Sequence, residues 1–137
     1  MAASNDDHPT YSRDQLVRYV CLIYGCSPEH GESKLRELES WIQKDPLGAL
    51  TSLQQHHLAK IPFGNVVIHY SQHHTVSLDP DLLFHKLVER VIGGYCFENN
   101  GLFAIVLRSL GYKMYTAAGK VSEDLHGGPH ARYFSGW

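Results

Sequence analysis

Ile92-Gly93-Gly94-Tyr95-Cys96-Phe97-Glu98-Asn99-Asn100-Gly101 is the stretch on which the reading of this chain turns. Two adjacent glycines let the backbone turn sharply and leave room beside the residues that follow. From Tyr95 to Leu110 the chain is apolar and reads as a helix, and Gly111 stands where such a helix would close. The pattern therefore predicts a helix whose first turn carries Cys96. Unpaired N–H groups and the positive end of the dipole at that point favour a thiolate over a thiol. Several unrelated enzymes prepare a cysteine nucleophile in this way. A buried cysteine packing as a small hydrophobe fits the same local pattern, and the ten residues leave both readings open.

Upstream, the chain is mostly helical in pattern. Tyr11 to Tyr24 predicts a first helix, with Ser12 and Gln15 as a capping box, Leu16, Tyr19, Val20 and Ile23 on one face, and Gly25 at its end. Ser33 to Gln43 predicts a second, with Leu35, Leu38 and either Trp41 or Ile42 as its stripe. Asp45-Pro46 reads as a cap and first helical residue for a third, which carries Leu47, Leu50, Leu53, His57 and Leu58. Ile61-Pro62-Phe63-Gly64-Asn65 breaks the pattern, since proline disfavours helix at the residue before it. Val66 to Tyr70 and Val76 to Leu78 are expected to be short strands, and Asp79-Pro80 to cap a helix through Leu82, Leu83, Leu87 and Val88. Downstream, Tyr112 to Val121 reads as a strand and Ser122 to Pro129 as a turn. Helices come first and strands late, so the expected class is α+β. An N-terminal helical bundle (1–90) is followed by the helix that carries Cys96 and the start of a strand region (91–137). The large apolar Trp137 at the terminus is read as a cut through a fold.

Composition narrows the class of protein. The chain has 137 residues, 43% hydrophobic and 19% charged, which is globular rather than disordered. A net charge of −2 gives no electrostatic reason to expect nucleic acid or an anionic membrane as partner. No apolar run is long enough to span a bilayer. Met1 to Tyr11, with Asp6 and Asp7, lacks the basic and apolar regions of a signal peptide, so the cytoplasm is the expected compartment. Cys21, Cys26 and Cys96 are odd in number and form no CxxC pair, arguing against a disulfide framework or a thiolate metal site. Cys21 and Cys26 are read as structural. Ten histidines invite a metal reading. His56 and His57 would point about 100° apart on a helix and cannot easily share an ion. His57 reads as buried and hydrogen-bonded, His73-His74 as exposed, and no metal is expected.

Taken over the whole chain, the residues resemble the arylamine N-acetyltransferases. Gly93 to Phe103, followed by Leu107, Leu110, Gly111 and Tyr112, is similar to the nucleophile segment of that family. His57 with Ile61-Pro62-Phe63 and Asn65 resembles its "H…IPFEN" stretch. Val76-Ser77-Leu78-Asp79, Lys86-Leu87-Val88 and Tyr11-Ser12-Arg13 match other parts in order, and the closing Tyr133-Phe134-Ser135-Gly136-Trp137 looks most like the fungal branch. The resemblance implies that 91–137 holds the nucleophile helix and the start of a β-barrel, an incomplete cysteine-protease-like core, with a cysteine, histidine and aspartate triad. It further implies a ping-pong reaction in which the cysteine takes an acetyl group from acetyl-CoA and passes it to an arylamine, hydroxylamine or hydrazine. It assigns Cys96 as nucleophile and Phe63 to the wall of the acceptor pocket. No cofactor is expected to be bound, the co-substrate being acetyl-CoA or another short acyl-CoA such as malonyl-CoA.

The chain departs from that pattern in two ways. The triad histidine and aspartate would fall beyond Trp137, which makes the chain by itself an expected inactive fragment; His126 and His130, near Asp124, are poor substitutes in a loop. The family's "RGG" arginine is Ile92 here and its "PFEN" glutamate is Gly64, so an ion pair that the resemblance implies is replaced on both sides at once. Two rivals accompany this reading. One is a non-catalytic binding or dimerisation module derived from the family. The other is a papain- or transglutaminase-like enzyme, disfavoured because Phe97-Glu98-Asn99 follows the cysteine.

Overall fold

Ser12 opens the first helix as the capping pattern requires. The computed structural model describes residues 8–65, 69 and 76–119. In it the Ser12 hydroxyl accepts the Gln15 N–H (3.3 Å) and the Gln15 side-chain oxygen accepts the Ser12 N–H (2.9 Å). Helix α1 (Arg13–Tyr24) buries Leu16, Tyr19, Val20 and Ile23, the four residues the periodicity selects, and ends at Gly25 with φ of 69°. Helix α2 (Pro28–Lys44) starts at Pro28 rather than Ser33, with Ser27 before it and proline in the first turn. Its inner face is Gly31, Leu35 and Leu38; Ile42 packs against the core while Trp41 is exposed. Asp45 ends α2 and caps helix α3 (Pro46–Lys60), its carboxylate accepting the Gly48 N–H at 3.0 Å. Ala49, Leu53 and His57, four residues apart, form the buried face of α3. Leu47 and Leu58 fall on the other side and are exposed, against expectation.

Asp79 caps helix α4 (Pro80–Phe84) by accepting the N–H groups of Asp81 and Leu82, both at 3.1 Å. The helix runs into one π-helical turn, His85–Glu89. Leu83, Leu87 and Val88 are buried there, and Leu82 is exposed. Helix α5 (Cys96–Ser109) follows the double glycine and buries Leu102, Ile105, Val106 and Leu107. It shares one core with α1, α2 and α3. Tyr11 fastens the arrangement: its N–H donates to Ser109 Oγ (2.8 Å), its hydroxyl to the Pro80 carbonyl (3.0 Å), and its ring meets Phe84 at 5.1 Å. The Tyr112 hydroxyl donates to the Pro46 carbonyl (2.7 Å), tying the end of α5 to the start of α3.

The expected strands are not found among the described residues. Val76 to Leu78 and Tyr112 to Gly119 carry no regular structure. A strand exists only where a second backbone lies alongside to take its hydrogen bonds. Beside Val76–Leu78 the Asp79 N–H turns back locally onto Ser77 Oγ (3.2 Å). His69 donates to the Asn65 carbonyl four residues back (3.3 Å), a helical bond inside a stretch read as strand. The rest of Val66 to Tyr70, the end of Tyr112 to Val121 and the turn from Ser122 to Pro129 lie outside the described residues. What is described is thus the helical part of the expected α+β fold, with one isolated parallel bridge, Phe63 to Gly94.

Candidate active site

The bridge brings the two expected site segments together. Gly94 N–H donates to the Pro62 carbonyl (3.2 Å), and the Gly94 carbonyl accepts the Gly64 N–H (3.1 Å). Gly93 takes φ of 83°, and a Cβ there would stand 2.7 Å from the Pro62 oxygen. At Gly94 a Cβ would meet Leu87 Cδ2 and Glu98 Cβ, each at 3.0 Å. Both glycines are therefore required by close approach, and Gly93 also by its backbone. Val91, two residues earlier, is β-branched and sits at φ of 50°. That is a strained position of the sort found beside functional turns.

Cys96 is the first residue of α5 and is exposed. The Phe63 ring lies edge-on to the Tyr95 ring, with centroids 5.9 Å apart and planes at 69°, so Phe63 stands beside the residue preceding Cys96. It is 67% exposed. An open, mainly apolar cleft of about 640 Å³ borders Phe97, the residue after Cys96, and is walled by Leu78, Phe103, Leu107 and Met114. His126, His130 and Asp124 lie outside the described residues.

A buried ion pair behind Cys96 escapes a sequence reading. Glu98 is 2% exposed, and its carboxylate does two things: one oxygen accepts the Tyr95 N–H at 2.9 Å, the other pairs with Lys86 Nζ. The first contact is half of a capping box, and the signal for it is a glutamate three residues after the helix cap. The second depends on the π-helical turn that carries Lys86, which no periodicity announces. Asn99 adds a clamp, its side-chain amide donating to the Gly94 carbonyl at 3.0 Å. Gly64 and Ile92, where the resemblance implies an ion pair, are neighbours: a Cβ on Gly64 would come 3.9 Å from the Ile92 carbonyl oxygen. Here backbone bridging joins the two segments.

The histidines on α3 serve the helical core. The Tyr19 hydroxyl meets His57 Nδ1 at 2.9 Å, Phe103 covers the ring at 4.8 Å, and burial pushes the His57 pKa down to about 4. His56 turns to the Ser52 carbonyl (2.8 Å) and the Tyr24 ring (4.4 Å). The two rings thus face different partners. The described residues contain no group of three or more His, Cys, Asp or Glu able to hold a metal ion. His73 and His74 lie outside them. No described helix is long and apolar enough to cross a membrane.

The family model of the N-acetyltransferases matches residues 46–132, the span that contains both the Phe63 bridge and Cys96. The chain is 34% identical to the N-malonyltransferase FDB2 of Fusarium pseudograminearum over 96% of its own length and 40% of that relative. It is 38% identical to the pineal gland arylamine N-acetyltransferase NAT-3 of Gallus gallus over 58% of this chain and 27% of that one. With the arylamine N-acetyltransferase of Mycolicibacterium smegmatis it shares 39% identity over 55% of this chain and 27% of that one. No solved structure matches. The chain belongs to the arylamine N-acetyltransferase family. An acyltransferase family is thereby separated from the papain-like rival, which the local chemistry of Cys96 leaves open. The chain spans well under half the length of these curated relatives.

Proposed function

We propose that Cys96 is the nucleophile of a ping-pong acyl transfer. It would take the acyl group of a short acyl-CoA as a thioester and yield it to an aromatic amine, hydroxylamine or hydrazine. The observation that carries this is the exposed Cys96 at the first residue of α5, behind a turn held by Gly93, Gly94 and the Glu98 carboxylate. The first residue of a helix lies beside the unpaired N–H groups of its start, where negative charge is favoured. Phe63, beside Tyr95, and the apolar cleft along α5 suit a planar acceptor. The donor is acetyl-CoA or malonyl-CoA, the second suggested by the name of the FDB2 relative.

The division into a helical part (1–90) and a nucleophile-plus-barrel part (91–137) belongs to the same proposal. So do the barrel, the cytoplasmic setting and a role in handling foreign amines. On this reading the histidine and aspartate partners of Cys96 come from outside these 137 residues. Loss of a general base typically costs about 10²–10⁴-fold, so the chain alone is expected to turn over slowly or not at all.

Intact mass spectrometry after separate incubation with acetyl-CoA and malonyl-CoA, with Cys96→Ala as control, tests the nucleophile and the donor together. A single acyl adduct that vanishes in the control supports the reading, and its mass names the donor. No adduct with either donor would show that Cys96 is not activated within this chain, leaving it an inactive fragment or a non-catalytic module.

A further inference from the structure

Cys21 and Cys26 enter no part of the acyl-transfer reading, yet their sulfurs are in contact. The Cys26 thiol donates to Cys21 Sγ at 3.3 Å, and the Cys21 thiol donates to the Ser27 carbonyl at 3.5 Å. Both side chains are half-buried. The chain folds back at this point because Gly25 takes the left-handed conformation and the Cys26 N–H closes onto the Cys21 carbonyl at 3.1 Å. Residues five apart, which would lie on different sides of a continuing helix, thus present their sulfurs to each other across the α1–α2 corner. Gly31 of α2 leaves the space this needs: a Cβ there would stand 2.5 Å from Cys21 Sγ.

We propose that Cys21 and Cys26 form a dithiol site that reacts with small disulfides such as glutathione disulfide and closes reversibly to an intramolecular Cys21–Cys26 bond. The Cys26 thiolate attacks the small disulfide, forming a mixed disulfide and releasing one small thiol. The Cys21 thiolate then attacks the Cys26 sulfur, forming the Cys21–Cys26 bond and releasing the second. The two protein thiols are oxidised, the small disulfide is reduced to two thiols, and these carry away both protons. Cys21 is the resolving partner because burial and the adjacent Cys26 push its pKa up to about 11, which leaves it a poor first attacker. A cross-link closing so short a loop removes little chain entropy, which makes it easily reduced and suits a reversible modification. When closed, it joins the last turn of α1 to the loop entering α2.

The test is incubation of the folded 137-residue chain over a series of glutathione disulfide to glutathione ratios, followed by acid quench, alkylation and mass mapping. Trypsin leaves both cysteines in the one peptide Tyr19 to Lys34, with Cys96 elsewhere. The expected result is that peptide lighter by two hydrogens, refractory to alkylation and recovered on adding reductant. In Cys21→Ser, Cys26 should stop at a persistent glutathione adduct; in Cys26→Ser, Cys21 should stay unmodified. A wild-type chain whose Cys26 keeps glutathione beside a free Cys21, or whose peptide is unchanged while Cys96 is modified, overturns the proposal. Neither outcome bears on the acyl adduct at Cys96.

Discussion

At Gly93 a side chain would meet two obstacles, a φ of 83° and the Pro62 oxygen 2.7 Å from the Cβ position. The left-handed backbone alone costs roughly 1–2 kcal/mol for a residue with a Cβ, and the contact with backbone adds to it. Gly93→Ala is expected to lower unfolding free energy by about 2–3 kcal/mol and to change the alkylation rate of Cys96. Unchanged denaturation midpoint and rate would mean that the turn relaxes. Lys86 and Glu98 argue the same scale from charge. Removing Lys86 leaves a carboxylate that is 2% exposed without its cation, and breaking such a pair costs about 3–5 kcal/mol. Lys86→Met should therefore destabilise strongly. Lys86→Met combined with Glu98→Gln should recover part of the loss, because the amide oxygen still accepts the Tyr95 N–H. A double variant no more stable than Lys86→Met would show that the pair's charge is not what matters.

Among the elements, Asp45 does the most with one side chain. It ends α2, and its carboxylate caps α3 through the Gly48 N–H. Asp45→Ala is expected to cost about 1 kcal/mol, read as a lower urea midpoint at constant slope. The caps at Ser12, Asp45 and Asp79 are legible in sequence because each is a local pattern: a polar acceptor, then proline or a glutamine at fixed spacing. The start of α2 is less so. Ser27-Pro28 is followed by Glu29, His30, Gly31 and Glu32, with no apolar stripe, and the residue that faces α1 in that turn is the buried Gly31. Val76–Leu78 has strand composition without strand structure, since composition supplies no partner backbone. The π-helical turn at His85–Glu89 has no signature of its own, and it sets where Lys86 points.

Across the whole molecule, one core joins α1, α3 and α5, and His57 lies within it between Tyr19 and Phe103. This gives the stability a pH dependence of known sign. Unfolded, His57 binds its proton near pH 6.5; folded, only near pH 4. Between these values the unfolded state holds more protons, so stability is full above about pH 6.5 and falls as pH drops towards 4. The loss should approach about 3 kcal/mol at the low end. Thermal melts across that window should show the fall, and His57→Gln should flatten it. A wild-type slope equal to that of the variant would assign the dependence to other groups.

The sequence alone determined the caps, the apolar face of α1, the helix that begins at Cys96, and through the ordered motifs the acyltransferase family. These are local or linear properties: capping, periodicity and spacing are complete within a few residues of each other. Only the tertiary structure decided that Lys86 neutralises Glu98, that Phe63 stands beside Tyr95, and that Cys21 touches Cys26. Each of these joins groups whose meeting depends on a π-helical turn, a backbone bridge or a left-handed glycine. The energy of such a contact lies in the packing around it, and no side-chain pattern along the chain records that packing.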